Sequence, residues 1–436
     1  MTNNEPMMLT AEIPLINTTQ DAPSRTSSGL AQRLQNMMIG IIIFLGGFVI
    51  FEPAPYELVL IITLVVWFAL GLRIPRAIFP LLILFSIFST GGIISSFQMV
   101  DHKSGFIYVA VSYFLALTSV FFAIIISSDE KRLPLIFKVY VASALVSTML
   151  GLLGYFNISG FAMFTKFERA AGAFQDPNVF GPFLTAPILY LVYRLLNTNL
   201  KGVIPIAAML GILALGLFLA FSRAAWGLTA FSLLMFYALL FINEQRARVR
   251  LKYIVLAVCG VAVLIFAFLA LLQIDAVSNL FLQRAKVVQD YDGGTMGRFE
   301  RHALGFKMAL ENPLGIGPLV FPKYFIEDTH NIYLKSLMAY GWIGFVCWLT
   351  MMFWTLIAGF KLLFRPRPWQ VYHQIAYTIF VGHCFVGIVI DTDHWRHFYL
   401  MIGIIWACIL LEKQWQAKKR AKVSHSQFRN ARPPQI

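Results

Sequence analysis

The feature that most constrains this chain is a series of twelve apolar runs separated by polar stretches. A helix needs about 20 apolar residues to cross a bilayer, and backbone groups that face lipid must find hydrogen-bond partners within the same segment. The runs therefore predict an all-α polytopic membrane protein with about 12 transmembrane helices. They lie at residues 38–51, 58–72, 77–97, 106–126, 134–155, 180–197, 203–221, 224–242, 253–273, 333–360, 375–390 and 398–411.

Composition and charge agree with a membrane protein and argue against nucleic-acid binding. Of the 436 residues, 58% are hydrophobic and 13% are charged, against about 45 to 50% and about 25% in soluble domains. If both termini are cytoplasmic, 23 of the 35 Lys and Arg but only 7 of the 21 acidic residues lie on the cytoplasmic side, as the positive-inside rule requires. The net charge of +14 thus reflects topology, and the basic clusters are expected to face anionic membrane lipids.

The chain divides into three parts by composition. Residues 1–36 are polar and contain three prolines, which predicts a disordered cytoplasmic tail. Residues 37–412 form the predicted transmembrane domain, and residues 413–436 form a basic cytoplasmic tail. Two long external loops, residues 156–180 and 274–332, interrupt otherwise short connections, and loops of that length are usually functional or disordered. Apolar periodicity in the second loop predicts short helices there.

Three arginines on the predicted external side, Arg169, Arg223 and Arg298, are candidate substrate-binding residues. None of the twelve runs contains Asp or Glu, whereas ion-coupled transporters generally carry an acidic residue inside the membrane. A guanidinium offers a planar fork of donors that suits phosphate oxygens, so three such side chains around one cavity would hold a diphosphate. The alternative is interfacial snorkelling or a salt bridge to a nearby carboxylate.

The segment EDTHNIYLKSLMAYGWIG, residues 327–344, is the most informative stretch of the sequence. Asp328 or Thr329 is expected to cap the helix of the tenth run, which would place His330 and Asn331 in its first turn at the external surface. A helix amino terminus attracts anions, and a neutral imidazole accepts a proton from a sugar hydroxyl. Both properties suit glycosyl transfer from a lipid diphosphate. The alternative is a histidine that only caps the helix or lies at the membrane interface.

A second polar cluster, DTDHWRH, joins the last two runs and contains Asp391, Asp393, His394 and His397. Its spacing matches no established metal motif, so a salt-bridged external turn or a cavity wall is preferred over a metal site. The four cysteines lie inside apolar runs at spacings that fit neither a disulfide framework nor a zinc site. No nucleotide-binding loop is visible, and the sequence predicts neither a metal nor another cofactor.

In its motifs and their order, the chain resembles the O-antigen ligase and O-antigen polymerase superfamily of bacterial inner-membrane proteins. The hallmarks are an arginine before a Gly-x-x-x-x-Pro-Asn loop, a Ser-Arg pair, a Gly-Arg before an Asn-Pro-Leu-x-Gly-x-Gly turn, and His-Asn before Gly-x-x-Gly. The resemblance extends over about residues 40–412, and His302 departs from it where the family is expected to carry an aromatic residue. The matching residues are Arg169 with Gly172, Pro177 and Asn178; Ser222 and Arg223; Gly297 and Arg298 with Asn312, Pro313, Leu314, Gly315 and Gly317; and His330 and Asn331 with Gly341 and Gly344.

This resemblance implies a metal-independent, C-type glycosyltransferase of many spans that acts at the periplasmic face of the inner membrane. Its donor would be a glycan linked to undecaprenyl diphosphate. By resemblance, Arg169, Arg223, Arg298 and Asn331 bind the diphosphate, and the arginines stabilise it as it leaves. His330 positions or deprotonates the acceptor hydroxyl, which attacks the anomeric carbon from the opposite side and inverts its configuration.

Three functions remain open on the sequence alone. The first choice is a ligase that transfers a finished polysaccharide to lipid A-core, because the His-Asn and Gly-x-x-Gly pattern is associated more with ligases. The second is a polymerase that joins repeat units of O-antigen or exopolysaccharide to a growing polysaccharide acceptor. The third is a flippase or transporter of lipid-linked polysaccharide. The lack of intramembrane acids argues against it, although lipid flippases also use basic cavities.

Overall fold

A computed structural model describes residues 29–285, 297–325 and 327–430 of the chain. The predictions for residues 1–28 and 286–296 therefore lie outside the described residues. The helices, in chain order, are α1 Gly29–Leu45, α2 Pro55–Ala69, α3 Phe79–Ser96, α4 His102–Ser128, α5 Arg132–Tyr155, α6 Pro177–Leu196, α7 Leu200–Leu219, α8 Arg223–Asn243, α9 Ala247–Leu271, α10 Asp275–Ala285, α11 Arg298–Glu311, α12 Phe321–Tyr324, α13 Ile332–Phe360, α14 Gln370–Val386 and α15 Arg396–Asn430.

The helices agree with the pattern of apolar runs. Each of the twelve predicted runs overlaps one α-helix. In the described part of the chain, nine helices are both long and apolar enough to cross a membrane, whereas α1, α2 and α14 are shorter. Helices α10, α11 and α12 are the short helices predicted for the second external loop. The prediction of an all-α polytopic membrane protein is thus confirmed.

Both predicted tails contain helix in the part that the structure describes. Helix α1 begins inside the predicted disordered tail, at Gly29, and its first turns contain several polar side chains. Those turns are fixed by side-chain hydrogen bonds: Gln32 donates to Asp129 at 2.8 Å, and Gln35 accepts from Arg132 at 2.8 Å. Helix α15 likewise continues through most of the predicted basic tail, which is rich in the good helix formers Lys, Arg, Ala and Gln.

The largest hydrophobic core surrounds α4 and α15, which pack along each other. Gly403 of α15 permits this close approach, because a Cβ at that position would lie 2.9 Å from the carbonyl oxygen of Ser119 on α4. Small residues at helix contacts are a common way for membrane helices to approach. Helix α9 lies at the periphery: its most apolar stretch, with a mean hydropathy of 3.1, contains no buried residue. A lipid environment satisfies such a helix.

Helix α13 is kinked where it meets the Asn-Pro-Leu-x-Gly-x-Gly turn. Gly341 interrupts the helix with φ 65° and ψ −178°, and a Cβ there would lie 2.8 Å from a carbonyl group of the turn. The N–H of Trp342 donates to the carbonyl of Pro313 at 3.0 Å, and the N–H of Ile316 donates to the carbonyl of Met338 at 2.7 Å. The turn thus supplies hydrogen-bond partners to the kink, and only glycine fits the contact without strain.

Candidate functional site

The first of the two long loops, which the sequence predicts to be external, contains a small hairpin that carries Arg169. Strand β1, Thr165–Lys166, pairs antiparallel with β2, Arg169–Ala170. Thr165 lies opposite Ala170, and Lys166 lies opposite Arg169. The two turn residues, Phe167 and Glu168, have φ of 53° and 56°. A two-residue hairpin turn of type I′ requires positive φ at both positions, so this local geometry sets where the Arg169 side chain begins.

Arg169 and Arg223 form the first group of candidate residues. Arg169 is buried; its Nε donates to the backbone carbonyl of Ala220 at 2.7 Å, and its Nη2 donates to Asn178 Oδ1 at 2.9 Å. Arg223 is the first residue of α8, and the hydroxyl of Ser222 caps this helix. Arg169 therefore joins the hairpin to the start of α6 and to the junction that presents Arg223. A helix amino terminus with an adjacent guanidinium is suited to binding an anion.

Arg298 is the first residue of α11, and the next turn of this helix carries two further polar side chains. Arg301 Nη1 lies 2.7 Å from Glu327 Oε2. The Nε2 of His302 donates to the backbone carbonyl of Thr329 at 2.8 Å. These two contacts attach α11 to the segment that precedes α13. At the position where the family pattern calls for an aromatic residue, His302 thus supplies a hydrogen bond that holds this segment.

The start of α13 differs from the sequence prediction. The N-cap is Asn331, not Asp328 or Thr329: Asn331 Oδ1 accepts from the two backbone N–H groups of the first turn at 3.0 and 3.1 Å. The Asp328 side chain instead accepts from the N–H of Thr329 at 2.8 Å. His330 therefore precedes the helix, with φ 50°, in the left-handed region that few non-glycine residues adopt. The contact of Asn331 with a diphosphate stays a prediction, and its carbonyl oxygen already serves the cap.

His330 faces a buried ionic group formed by α13 and the loop after α14. Its Nδ1 lies 3.7 Å from Asp391 Oδ2, and the Nζ of Lys335 lies 3.4 Å from the same oxygen. Lys335 also lies 3.5 Å from Asp328 and 3.9 Å from Asp393. The side chain of His330 is 39% exposed, whereas that of Lys335 is 12% exposed. The imidazole is thus the accessible member of the second group, which comprises these residues and the start of α11.

The DTDHWRH segment is held by protein side chains. Asp393 Oδ2 accepts from the hydroxyl of Tyr108 on α4 at 2.5 Å, and His394 Nε2 is hydrogen-bonded to Ser112 at 2.7 Å. His397 is buried in α15. Within the residues that the structure describes, no group of three or more His, Cys, Asp or Glu side chains is arranged to hold a metal ion. The segment forms a salt-bridged turn beside His330.

The surroundings shift the pKa values of the acidic residues near His330 in opposite directions. Burial raises the pKa of Asp328. Burial also acts to raise the pKa of Asp391, but the positive charge of Lys335 and the contact with His330 outweigh it, and the pKa of Asp391 is lowered. Burial lowers the pKa of His302, which favours its neutral form. Asp391 is therefore the carboxylate that remains charged against the imidazole.

Both groups lie at one end of the helix bundle, here named the site end, and α14 connects them. The carbonyl of Gly387, directly after α14, accepts from the N–H of Ile332 at the start of α13 at 2.9 Å. Gly382 of α14 packs closely on Leu228 of α8, since a Cβ there would lie 2.5 Å from Leu228 Cδ1. Leu228 is little more than one turn from Arg223, so the starts of α8 and α13 flank the same end of α14.

Lys335 and its contact with Asp391 were missed by the sequence reasoning. A signal was present, because Lys335 stands inside the tenth apolar run near its amino-terminal end, and an ionisable residue inside a span generally has a partner. The identity of that partner was hidden, since Asp391 lies beyond the next helix along the chain.

The comparisons with known proteins support the family resemblance. Residues 208–349 match the family model described as O-antigen ligase, so the predicted resemblance to the O-antigen ligase and polymerase superfamily is confirmed. The matched region contains Arg223, Arg298 and His330, whereas Arg169 and Asp391 lie outside it. A search of curated proteins found no match.

Proposed function

We propose that this chain, which carries an O-antigen ligase domain at residues 208–349, transfers a glycan from undecaprenyl diphosphate to lipid A-core. The reaction takes place at the periplasmic face of the bacterial inner membrane, with both termini cytoplasmic. The observation that carries the proposal is the pairing of an accessible His330 with Asp391 at the site end of a membrane bundle. The donor and acceptor lipids stay in the bilayer while their polar parts meet at this end.

His330 acts as the general base in this proposal. Its Nδ1 faces Asp391, which leaves Nε2 to accept the proton of the acceptor hydroxyl. The distance of 3.7 Å to Asp391 is longer than a hydrogen bond, and such contacts often shorten when substrate binds. As the proton moves to Nε2, the hydroxyl oxygen bonds to the anomeric carbon. The bond from that carbon to the diphosphate oxygen breaks, and its electron pair leaves with the diphosphate.

The arginines compensate the charge that develops on the leaving diphosphate. Arg223 and Arg298 are each the first residue of a helix, where the guanidinium and the helix dipole attract the same anion. Arg169 holds the junction before Arg223 through its bond to Ala220 and adds positive charge to that group. Because diphosphate is already a good leaving group, positive charge contributes more here than a general acid. The mechanism is metal-independent, and attack opposite to the leaving group inverts the anomeric carbon.

A deletion strain tests the proposal, and it also separates a ligase from a polymerase. For a ligase, the strain should accumulate long polysaccharide on undecaprenyl diphosphate while its lipid A-core stays bare on gels, and the wild-type gene should restore attachment. Core that carries a single repeat unit, or loss of a secreted polymer with intact lipopolysaccharide, would establish a polymerase instead.

Purified protein in detergent tests the enzymatic proposal against transport. Glycan transfer to an added acceptor needs no membrane compartment, whereas transport does. If the wild-type protein moves lipid-linked glycan across vesicles but transfers none in detergent, the chain is a flippase or transporter.

A further inference from the structure

Lys335 is a buried cation that the proposed reaction does not use. It lies one helical turn after the N-cap Asn331, and its side chain is 12% exposed. Three carboxylates surround it: Asp391 at 3.4 Å, Asp328 at 3.5 Å and Asp393 at 3.9 Å. Keeping a lysine buried requires partners of this kind, because removing its charge from water is costly. The position is therefore built around the ammonium group.

One oxygen connects this lysine to the proposed base. Asp391 Oδ2 is the atom that faces both His330 Nδ1, at 3.7 Å, and Lys335 Nζ, at 3.4 Å. The other carboxylate oxygen, Oδ1, is buried and has no hydrogen-bond partner among the described residues. The orientation of the Asp391 carboxylate in the described structure thus depends on Lys335 on one side and presents Oδ2 to His330 on the other.

Lys335 also contacts Tyr108 of α4. Its Nζ lies 5.3 Å from the centre of the Tyr108 ring, a distance at which a cation is attracted to the face of an aromatic ring. The hydroxyl of Tyr108 donates to Asp393 at 2.5 Å. The ammonium group of Lys335 is therefore held by the Tyr108 ring and three carboxylates. Because its position is fixed, it fixes the position of Asp391 as well.

We propose that Lys335 is a positioning residue for the transferase: it holds Asp391 against His330 so that the imidazole presents Nε2 to the acceptor hydroxyl. This inference rests on the proposed function. If Lys335 is removed, the negative charges of three neighbouring carboxylates repel one another, so Asp391 either turns away or takes up a proton. In both cases His330 loses the charged partner that fixes its ring.

The experiment measures kcat and KM of glycan transfer by purified protein in detergent for Lys335→Met, Lys335→Arg, Asp391→Asn and the double variant. Lys335→Met should lower kcat roughly 10- to 100-fold, because misplacement of a catalytic group by about 1 Å costs about that much, with KM for the donor changed by less than about threefold. Lys335→Arg should recover most of kcat. The exposed Lys307 of α11 provides a matched control, and Lys307→Met should leave kcat unchanged.

The split between kcat and KM separates positioning from a structural role. If Lys335 positions Asp391, Lys335→Met lowers kcat while the KM for the donor and the protein abundance stay near wild type. A purely structural role would instead lower the abundance of the folded protein.

The double variant gives the decisive result. If Lys335 acts through Asp391, then Lys335→Met with Asp391→Asn should be no slower than Asp391→Asn alone. Additive losses, or a loss of kcat that Lys335→Arg does not recover, would overturn the inference. Wild-type protein and His330→Ala are assayed beside these variants. An inactive wild type, or an active His330→Ala, would count against the proposed function itself, whereas an additive double variant counts against Lys335 alone.

Discussion

Replacement of His330 by asparagine separates the chemistry of this position from its backbone geometry. His330 has φ 50°, in the left-handed region where most residues with a Cβ lose about 1 to 2 kcal/mol. Asparagine tolerates this conformation better than other residues and keeps a polar side chain of similar reach. It does not accept a proton at neutral pH. His330→Asn therefore removes the proposed base while it leaves the turn before α13 in place.

The expected loss is large for activity and small for stability. General base catalysis contributes about 10²- to 10⁴-fold, which corresponds to about 2.7 to 5.5 kcal/mol of transition-state stabilisation. The His330 side chain is 39% exposed, and its contact with Asp391 is 3.7 Å long, so its removal should change the free energy of unfolding by less than about 1 kcal/mol. The N-cap bonds, in which Asn331 Oδ1 accepts from two backbone N–H groups of α13, do not involve the His330 side chain and remain.

The assay is the initial rate of glycan transfer by purified protein in detergent, with thermal unfolding of the same samples. His330→Gly provides a second variant, because glycine adopts positive φ freely and also lacks the base. The control is His102→Asn, which makes the same substitution outside the second group, at an exposed histidine that begins α4. A rate for His330→Asn within about threefold of wild type would refute the assignment of His330 as general base.

Further variants test the arginines, the helix cap and the topology. Arg298→Ala should abolish transfer and Arg223→Lys should lower it about tenfold or more at unchanged abundance, because a point charge does not replace a planar fork on a diphosphate. Asn331→Ala should lower the free energy of unfolding by about 1 kcal/mol, since two cap bonds are lost; Asn331→Asp should restore the thermal midpoint, and equal midpoints for both would contradict the cap. In a cysteine-free background, Lys307→Cys should react with a membrane-impermeant thiol reagent in cells with a permeable outer membrane while Arg248→Cys stays protected. The reverse labelling pattern would invert the proposed topology.

The fold class and the motif positions follow from local features of the sequence. Each of the twelve apolar runs overlaps a helix, because burial in lipid depends on composition over about 20 residues and not on distant partners. Turns that depend on local residues could also be predicted. The Asn-Pro-Leu-x-Gly-x-Gly segment forms a turn, in which Gly315 and Gly317 have φ of 85° and 95°. The start of α1 could not be predicted in the same way, because its first turns are held by hydrogen bonds to Asp129 and Arg132 between α4 and α5.

The pairing of side chains at the site end was decided only by tertiary structure. The sequence predicted Asp328 or Thr329 as the cap of the tenth span, whereas the structure has Asn331 as the N-cap and leaves His330 outside the helix. Lys335 meets Asp391 because α14 returns the chain to the start of α13, where the carbonyl of Gly387 binds the N–H of Ile332. Contacts of this kind depend on how helices pack, and no periodicity or motif spacing encodes them locally. The sequence by itself thus determined which elements form, while packing determined which polar side chains meet at the site end.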